Sequence, residues 1–191
     1  MLCASGGLTF GLRPNASGLR TGPNHTLCRK SVKTFWSNLV LSFVSMRLLL
    51  QKVTNASVTV DDQIIGSIGE GYLVFLCIQK GDAVSAVDWL IEKVLHLRLY
   101  ATADGENKAT LLEKGGEILL VSQFTLAARM DRGTKPDFTD AAAGPEAKPL
   151  YEYAIDACRR AGVKKVETGI FGASMLVQLT NDGPYTLWLE R

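Results

Sequence analysis

The sequence predicts a mixed α/β domain built on a single, largely antiparallel sheet. Three observations lead there. After residue 46, short runs that alternate or are continuously apolar fill most of the chain, separated by Gly, Asp and Pro clusters. Only two segments hold the 3.6-residue period of a helix. The order of elements, ββββαβ(β)-loop-αβββ, is that of strands grouped around two main helices rather than a regular βα alternation.

Each element has its own signal. Arg47 to Val53 predicts a strand, and Ser57 to Val60 alternates like a second one. Asp61-Asp62 supplies a turn, and Gln63 to Ile68 returns as the hairpin partner. Tyr72 to Ile78 is continuously apolar, as a buried central strand is. Asp82 stands where a helix N-cap is expected, before Val84, Val87, Leu90, Ile91, Val94 and Leu95 at helical spacing. Arg98 to Thr102 predicts a short strand and Asp104-Gly105 a turn. Glu117 to Phe124 is a further apolar strand. No period holds from Ala127 to Gly144, and an irregular stretch of that length in a compact domain is usually functional or disordered. Pro145 opens a helix that carries Leu150, Tyr153, Ala154 and Ala157 on one side, with Arg159 and Arg160 in its last turn and Gly162 at its end. Lys165 to Phe171, Met175 to Thr180 and Tyr185 to Leu189 predict the closing strands.

Composition bounds the function. The chain has 191 residues and a net charge of +2, but the charge is unevenly placed. Residues 1–45 carry Arg13, Arg20, Arg29, Lys30 and Lys33 and no acid, so the remainder holds sixteen bases against nineteen acids, a net of −3. A strongly basic nucleic-acid-binding body is excluded; contact with RNA has to use a local patch. The basic, acid-free, Ser- and Gly-rich residues 1–45 have the composition of a mitochondrial or chloroplast transit peptide. A disordered tail, or a true start at Met46, are the competing readings. The expected organisation is an extension over 1–45 and a domain over 46–191, cytoplasmic unless the extension is a working transit peptide. Cys3, Cys28, Cys77 and Cys158 form no CxxC pair, which points to a reducing compartment and away from a zinc site. No apolar run reaches the roughly 18 residues of a membrane helix, so no membrane partner is expected.

Familiar catalytic equipment is missing. The two histidines are His25, in the extension, and His96, near the end of a helix. A Ser-His-Asp or Cys-His device therefore has no base. There is no Walker loop and no GxSxG elbow, and Gly66-x-x-Gly69-x-Gly71 has the wrong glycine order for a dinucleotide site. Asp61-Asp62 lacks a partner motif for a metal. No cofactor and no metal are expected. What remains is chemistry by hydroxyls, amides and backbone donors, which suits ester hydrolysis.

Two segments stand where strands should stop and backbone should face a cavity: Ser122-Gln123-Phe124-Thr125-Leu126 and Asn181-Asp182-Gly183-Pro184. The first also reads as a polar strand end, the second as a hairpin turn. The Gly183-Pro184 bond is a natural place for a cis peptide that would turn two carbonyls into one pocket. With Met46-Arg47-Leu48, Ala56 to Val60, Lys80-Gly81-Asp82, Gly133-x-Lys135-Pro136-x-Phe138 and Thr168-Gly169-x-Phe171-Gly172-Ala173-x-Met175, they resemble, in order, the D-aminoacyl-tRNA deacylases.

The resemblance implies a sheet or barrel domain of that family, hydrolysis of the ester of D-aminoacyl-tRNA and of glycyl-tRNA, and a homodimer in which each Gly-Pro loop enters the partner's site. It implies that Ser122, Gln123, Phe124 and Thr125 form the catalytic wall and that Gly183 and Pro184 exclude L side chains. Thr125 as nucleophile stands below Thr125 as positioning group, because no base is evident. Phe171 and Met175 either pack the adenine or pack the core. Arg129, Arg132 and Lys135 either contact tRNA phosphates or form a solvated loop. Two residues depart from the family pattern: Lys52 replaces a usual arginine and Tyr185 a usual valine. Two other readings remain, a non-catalytic nucleic-acid or partner-binding protein on the same fold and a general Ser/Thr esterase.

Overall fold

The first strand sets the frame, because it pairs along both of its edges. In the computed structural model, which describes residues 45–131 and 133–191, β1 spans Arg47–Val60. The expected strands 47–53 and 57–60 are one strand with a fault between them. Leu48 and Leu50 face one side of the sheet, whereas Val53, Ala56, Val58 and Val60 face the other. An irregularity in pairing between Val53 and Asn55 resets the two-residue alternation, as a bulge does.

On one edge of β1 lie β2 (Gln63–Ile68) and β3 (Gly71–Cys77), both antiparallel and in one shared register, Ala56 opposite Ile68 and Val53 opposite Gly71. Asp61 and Asp62, at φ of 47° and 61°, make the tight turn into β2. On the other edge lies β8 (Leu176–Glu190), antiparallel from Thr59↔Leu176 to Arg47↔Glu190. The two strands expected over 175–180 and 185–189 are thus the halves of one.

Parallel neighbours complete the sheet. β6 (Glu117–Ser122) pairs with β3, and β7 (Val166–Thr168) pairs with β6. Parallel pairing demands crossovers, and the two long helices supply them: α1 (Val84–His96) between β3 and β6, α3 (Gly144–Arg160) between β6 and β7. The sheet is therefore more evenly mixed than expected, with three antiparallel and two parallel pairings in its main body. α1 buries Val87, Leu90, Ile91, Val94 and Leu95, the stripe that its spacing predicts. Both helices cover the face that carries Leu48, Leu50, Tyr72 and Leu120. The opposite face gathers a smaller cluster around Val53, Val58, Leu73, Leu119 and Val121.

Several local expectations change. Asp82 does not cap α1: its carboxylate accepts from the Gln79 amide at 2.6 Å, and extended Ala83 precedes the helix without a side-chain cap. Burial holds that carboxyl above its ordinary pKa. The strand expected over 98–102 is only β4 (Tyr100–Ala101), paired with the unanticipated β5 (Asn107–Ala109). One-turn α2 (Leu111–Lys114) was also not anticipated, although Thr110 and Glu113 form a reciprocal capping box there. α3 begins one residue before Pro145 and, as expected, ends in its two arginines, with Gly162 at φ 85° just beyond. The strand expected over 165–171 shortens to β7. The expected 1–45 extension lies outside the described residues except for Ser45, whose carbonyl accepts from Gln79 Nε2 at 2.7 Å.

Candidate active site

Strand β6 stops earlier than alternation suggests. Its last residue is Ser122, and Phe124–Ala127 folds into one turn of 3-10 helix. The reason lies in hydrogen bonding. Gln123 N still donates to Leu76 O of β3 at 2.9 Å, but β3 ends one residue later and the ladder has no further partner. Ser122 and Phe124 therefore do not share a strand face. The turn swings Phe124 outward, 56% exposed, onto the edge of Phe138 at 5.2 Å.

The turn faces a cavity of about 440 Å³. Ser122, Gln123 and Phe124 line one side, Phe171 and Met175 another, and Gly144 and Ala147 at the start of α3 a third. Phe124, at the start of the turn, and Gly144 and Ala147, at the start of α3, border it from two sides. The first amides of a helical turn have no acceptor within it, so those of Phe124 and Thr125 are free of the intrahelical ladder. The N-terminal end of α3 adds its positive dipole. None of the lining side chains is titratable, so any charge that develops in the cavity must be met by dipoles. Among the described residues no cluster of three or more His, Cys, Asp or Glu could hold a metal ion.

Thr125 does not line the cavity. Its hydroxyl accepts from Gln123 Nε2, so the two side chains brace each other. Phe171 also packs on Tyr151, ring centroids 5.8 Å apart, and the Tyr151 hydroxyl donates to Leu120 O at 2.8 Å. Burial pushes that phenol up to about 12. Met175 is set by Gly169, where an added Cβ would lie 2.4 Å from the Met175 sulfur. Phe171 and Met175 thus serve the core and the cavity wall together.

Gly183 and Pro184 lie elsewhere. The peptide between them is cis, and neither residue lines this chain's cavity. They sit in an outward bulge of β8: Gln51 pairs with Thr186 and Val53 with Asn181, so Asp182 to Tyr185 stand opposite Lys52 alone. Side chains hold the bulge at its base. Asn181 Nδ2 donates to Lys52 O at 2.9 Å and to Tyr185 O at 3.2 Å. Lys52 Nζ pairs with Asp182 Oδ2 at 2.7 Å and lies 4.7 Å and 5.4 Å from the ring centroids of Tyr100 and Tyr185. The two departures from the family pattern are therefore neighbours. Sequence reasoning missed Asn181 and Asp182 as bracing groups because both also read as turn formers.

In the long loop, Arg129 is committed: its guanidinium meets Asp137 and Asp140, each at 3.2 Å. Lys135 is exposed beside it, and Arg132 lies outside the described residues.

A family model described as D-Tyr-tRNA(Tyr) deacylase matches residues 49–190. The chain belongs to the D-Tyr-tRNA(Tyr) deacylase family. It is 46% identical over 145 residues to a protein of Salmonella agona named D-aminoacyl-tRNA deacylase, covering 76% of this chain and 99% of that one. A Thermomicrobium roseum protein of the same name is 47% identical over 145 residues, 76% of this chain and 94% of the relative. Among solved structures, one described as c-Myc DNA Unwinding Element Binding Protein superposes with a TM-score of 0.72 at 36% identity, covering 76% of this chain and 98% of that one. Another, described as a "probable eukaryotic D-amino acid tRNA deacylase", reaches 0.67 at 16% identity, covering 77% and 100%, and supports the fold alone.

Proposed function

We propose that this deacylase-family chain hydrolyses the ester that joins a D-amino acid to the 3′-terminal adenosine of tRNA, and glycyl-tRNA as well. The observation that carries the proposal is the cavity at the end of β6, walled by Ser122, Gln123 and Phe124 and free of titratable side chains. An aminoacyl ester is activated, and its hydrolysis needs an oxyanion held and a water positioned rather than a strong side-chain base. The amides of Phe124 and Thr125 are the donors for that oxyanion. Phe171 and Met175 give the adenine an apolar bed. The neighbouring ribose 2′-hydroxyl helps to orient the water. Thr125 positions Gln123 and is not the nucleophile.

Chiral selection comes from Gly183 and Pro184 of a second copy, which makes the working unit a homodimer. Three features support this. Gly183 and Pro184 do not line their own chain's cavity and lie on an edge strand that also exposes Leu176 (70%) and Trp188 (49%). A Cβ at Gly183 would meet only Asn181 Oδ1, at 3.8 Å, so the chain's own packing does not require glycine there. A rigid backbone wall rejects any L side chain without recognising a particular D one, which suits a broad substrate range. Lys135 and Arg132 contact tRNA phosphates. The domain over 46–191 is self-sufficient and works in the cytoplasm, or in a mitochondrion or chloroplast if residues 1–45 act as a transit peptide.

The test is deacylation of matched D-tyrosyl-, glycyl- and L-tyrosyl-tRNA by the full chain. Loss of the first two with the third intact is the expected result; no release from any of them overturns the proposal. A second reading, nucleic-acid binding without catalysis, is favoured by the name of the 36%-identical solved relative. Gly183→Ala separates the two, since it abolishes selective hydrolysis and leaves simple nucleic-acid binding unchanged.

A further inference from the structure

The cavity wall hangs from β6 by a short turn, and one charged side chain reaches that turn from the start of β1, beyond β3. Arg47, the first residue of β1, donates from Nη1 to Leu126 O at 2.9 Å. Its guanidinium carbon lies 5.8 Å from the centroid of the Trp188 ring on β8. Its Nε is buried with no hydrogen-bond partner. Leaving that donor unpaired costs free energy that the guanidinium's other contacts must offset.

One other tie reaches the residue before the turn from the sheet, and the rest are local or weak. Gln123 N is bonded to Leu76 O at 2.9 Å, Ala128 N to Thr125 O at 3.1 Å, and Phe124 O faces the Cys77 sulfur at 3.6 Å. A thiol is a poor donor, and the bond within the turn does not fix the turn's depth against the sheet. Arg47 supplies a charge-assisted bond from a rigid strand to the turn's third carbonyl. The same guanidinium lies over Trp188, four residues beyond Pro184 on β8. One side chain thus bears on both the turn beside the cavity and the strand that carries the Gly-Pro bulge.

We infer that Arg47 is a positioning residue for the reaction, holding the Phe124–Ala127 turn at the depth that aims the Phe124 and Thr125 amides at the substrate ester. The inference rests on the deacylase reading proposed above. Arg47 touches no substrate; it acts through the turn.

The test is steady-state deacylation of D-tyrosyl-tRNA by the full-length wild type, Arg47→Ala and Arg47→Lys, with thermal unfolding of each. Misplacing catalytic groups by a fraction of an ångström to about 1 Å costs about 10- to 100-fold. The expected result is a loss of that order in kcat for Arg47→Ala, with KM changed less than about threefold. Millimolar guanidinium, which refills the space left by the side chain, raises kcat of Arg47→Ala and leaves the wild type unchanged. Arg47→Lys keeps the charge but not the planar fork, folds like the wild type and is intermediate in kcat. Unchanged kcat at a lowered Tm, a loss carried by KM alone, or failure of both variants to fold would each assign Arg47 to stability and overturn the inference. An inactive wild type overturns the deacylase reading itself, and this inference with it.

Discussion

Lys52 and Asp182 are joined Nζ to Oδ2 at 2.7 Å across the base of the β8 bulge, and the lysine is only 8% exposed. The ammonium also faces Tyr100 and Tyr185, so it is held by one charge and two aromatic faces. The two departures from the family pattern thus meet at one place, the ammonium 5.4 Å from the Tyr185 ring centroid.

Lys52→Met keeps most of the volume and removes the charge. Asp182 is 40% exposed and can rehydrate, so the stability loss falls short of that for a fully buried pair, about 1–2 kcal/mol. Selectivity is the more sensitive readout: the ratio of D- to L-tyrosyl-tRNA cleavage drops as the bulge loosens. In a double-mutant cycle with Tyr185→Val the two changes are non-additive in that ratio, since the groups touch. Additive effects would mean that the contact is idle.

Gly71→Ala is a severe folding defect. A Cβ there would lie 1.9 Å from the Glu117 carbonyl oxygen and 2.7 Å from two further backbone atoms of Glu117, so β3 and β6 must separate. The cost exceeds the usual 1–3 kcal/mol of overpacking, because backbone rather than a side chain must move. Thermal unfolding measures it; a Tm within a few degrees of wild type would contradict the close approach.

Gly169→Ala behaves differently. The atom in the way is the sulfur of Met175, on a flexible side chain. The protein folds with a modest loss of stability, and Met175 moves within the cavity wall. KM for D-aminoacyl-tRNA therefore rises more than kcat falls, and Gly169→Ala with Met175→Ala recovers part of the loss by making room.

Thr125→Val distinguishes bracing from attack. Removing a brace behind Gln123 costs about 10-fold in kcat, far less than the loss of a true nucleophile. A loss beyond about 10³-fold would return Thr125 to the nucleophile role.

Alkaline pH weakens the fold through its buried acids. Burial pushes the Cys77 thiol from 9.0 to about 11 and the Cys158 thiol from 9.0 to about 12. The folded chain retains protons that the unfolded chain releases, so stability is full below pH 9 and falls as pH rises through 11. Urea midpoints at pH 8 and pH 10.5 measure the slope. Cys77→Ala and Cys158→Ala flatten it, and neither thiol reacts with an alkylating reagent at pH 8 while the chain is folded.

Much of this molecule could be read from residue types. The stripe of α1, the apolar run of β3, the arginines and Gly162 at the end of α3 and the Asp61-Asp62 turn each carry their information within a few residues. What escaped was set by distant neighbours. Ser122 ends β6 because β3 ends beside it, which nothing in Glu117 to Phe124 reveals. The halves of β8 join because β1 runs unbroken past both, and the fault in β1 near Asn55 is visible only from which side each cluster takes. Ser122, Gln123 and Phe124 stand out through their family pattern, and the fold brings them to the border of one cavity. The family pattern puts Thr125 in the same wall; its hydroxyl accepts from Gln123, and it is not among the residues that border the cavity. Lys52 and Tyr185 stood out as two separate oddities, and only their contact makes them one.

The arrangement of four residues opposite Lys52 on β8 has a consequence for how such a protein can change. Paired ladder flanks the bulge on both sides, so residues 182–185 form a detachable cassette on a fixed chassis. Lengthening, shortening or rewriting that cassette leaves the strand pairing on either side in phase. Change within residues 182–185 is thereby uncoupled from the integrity of the sheet, and variation can accumulate in the cassette while the frame is kept.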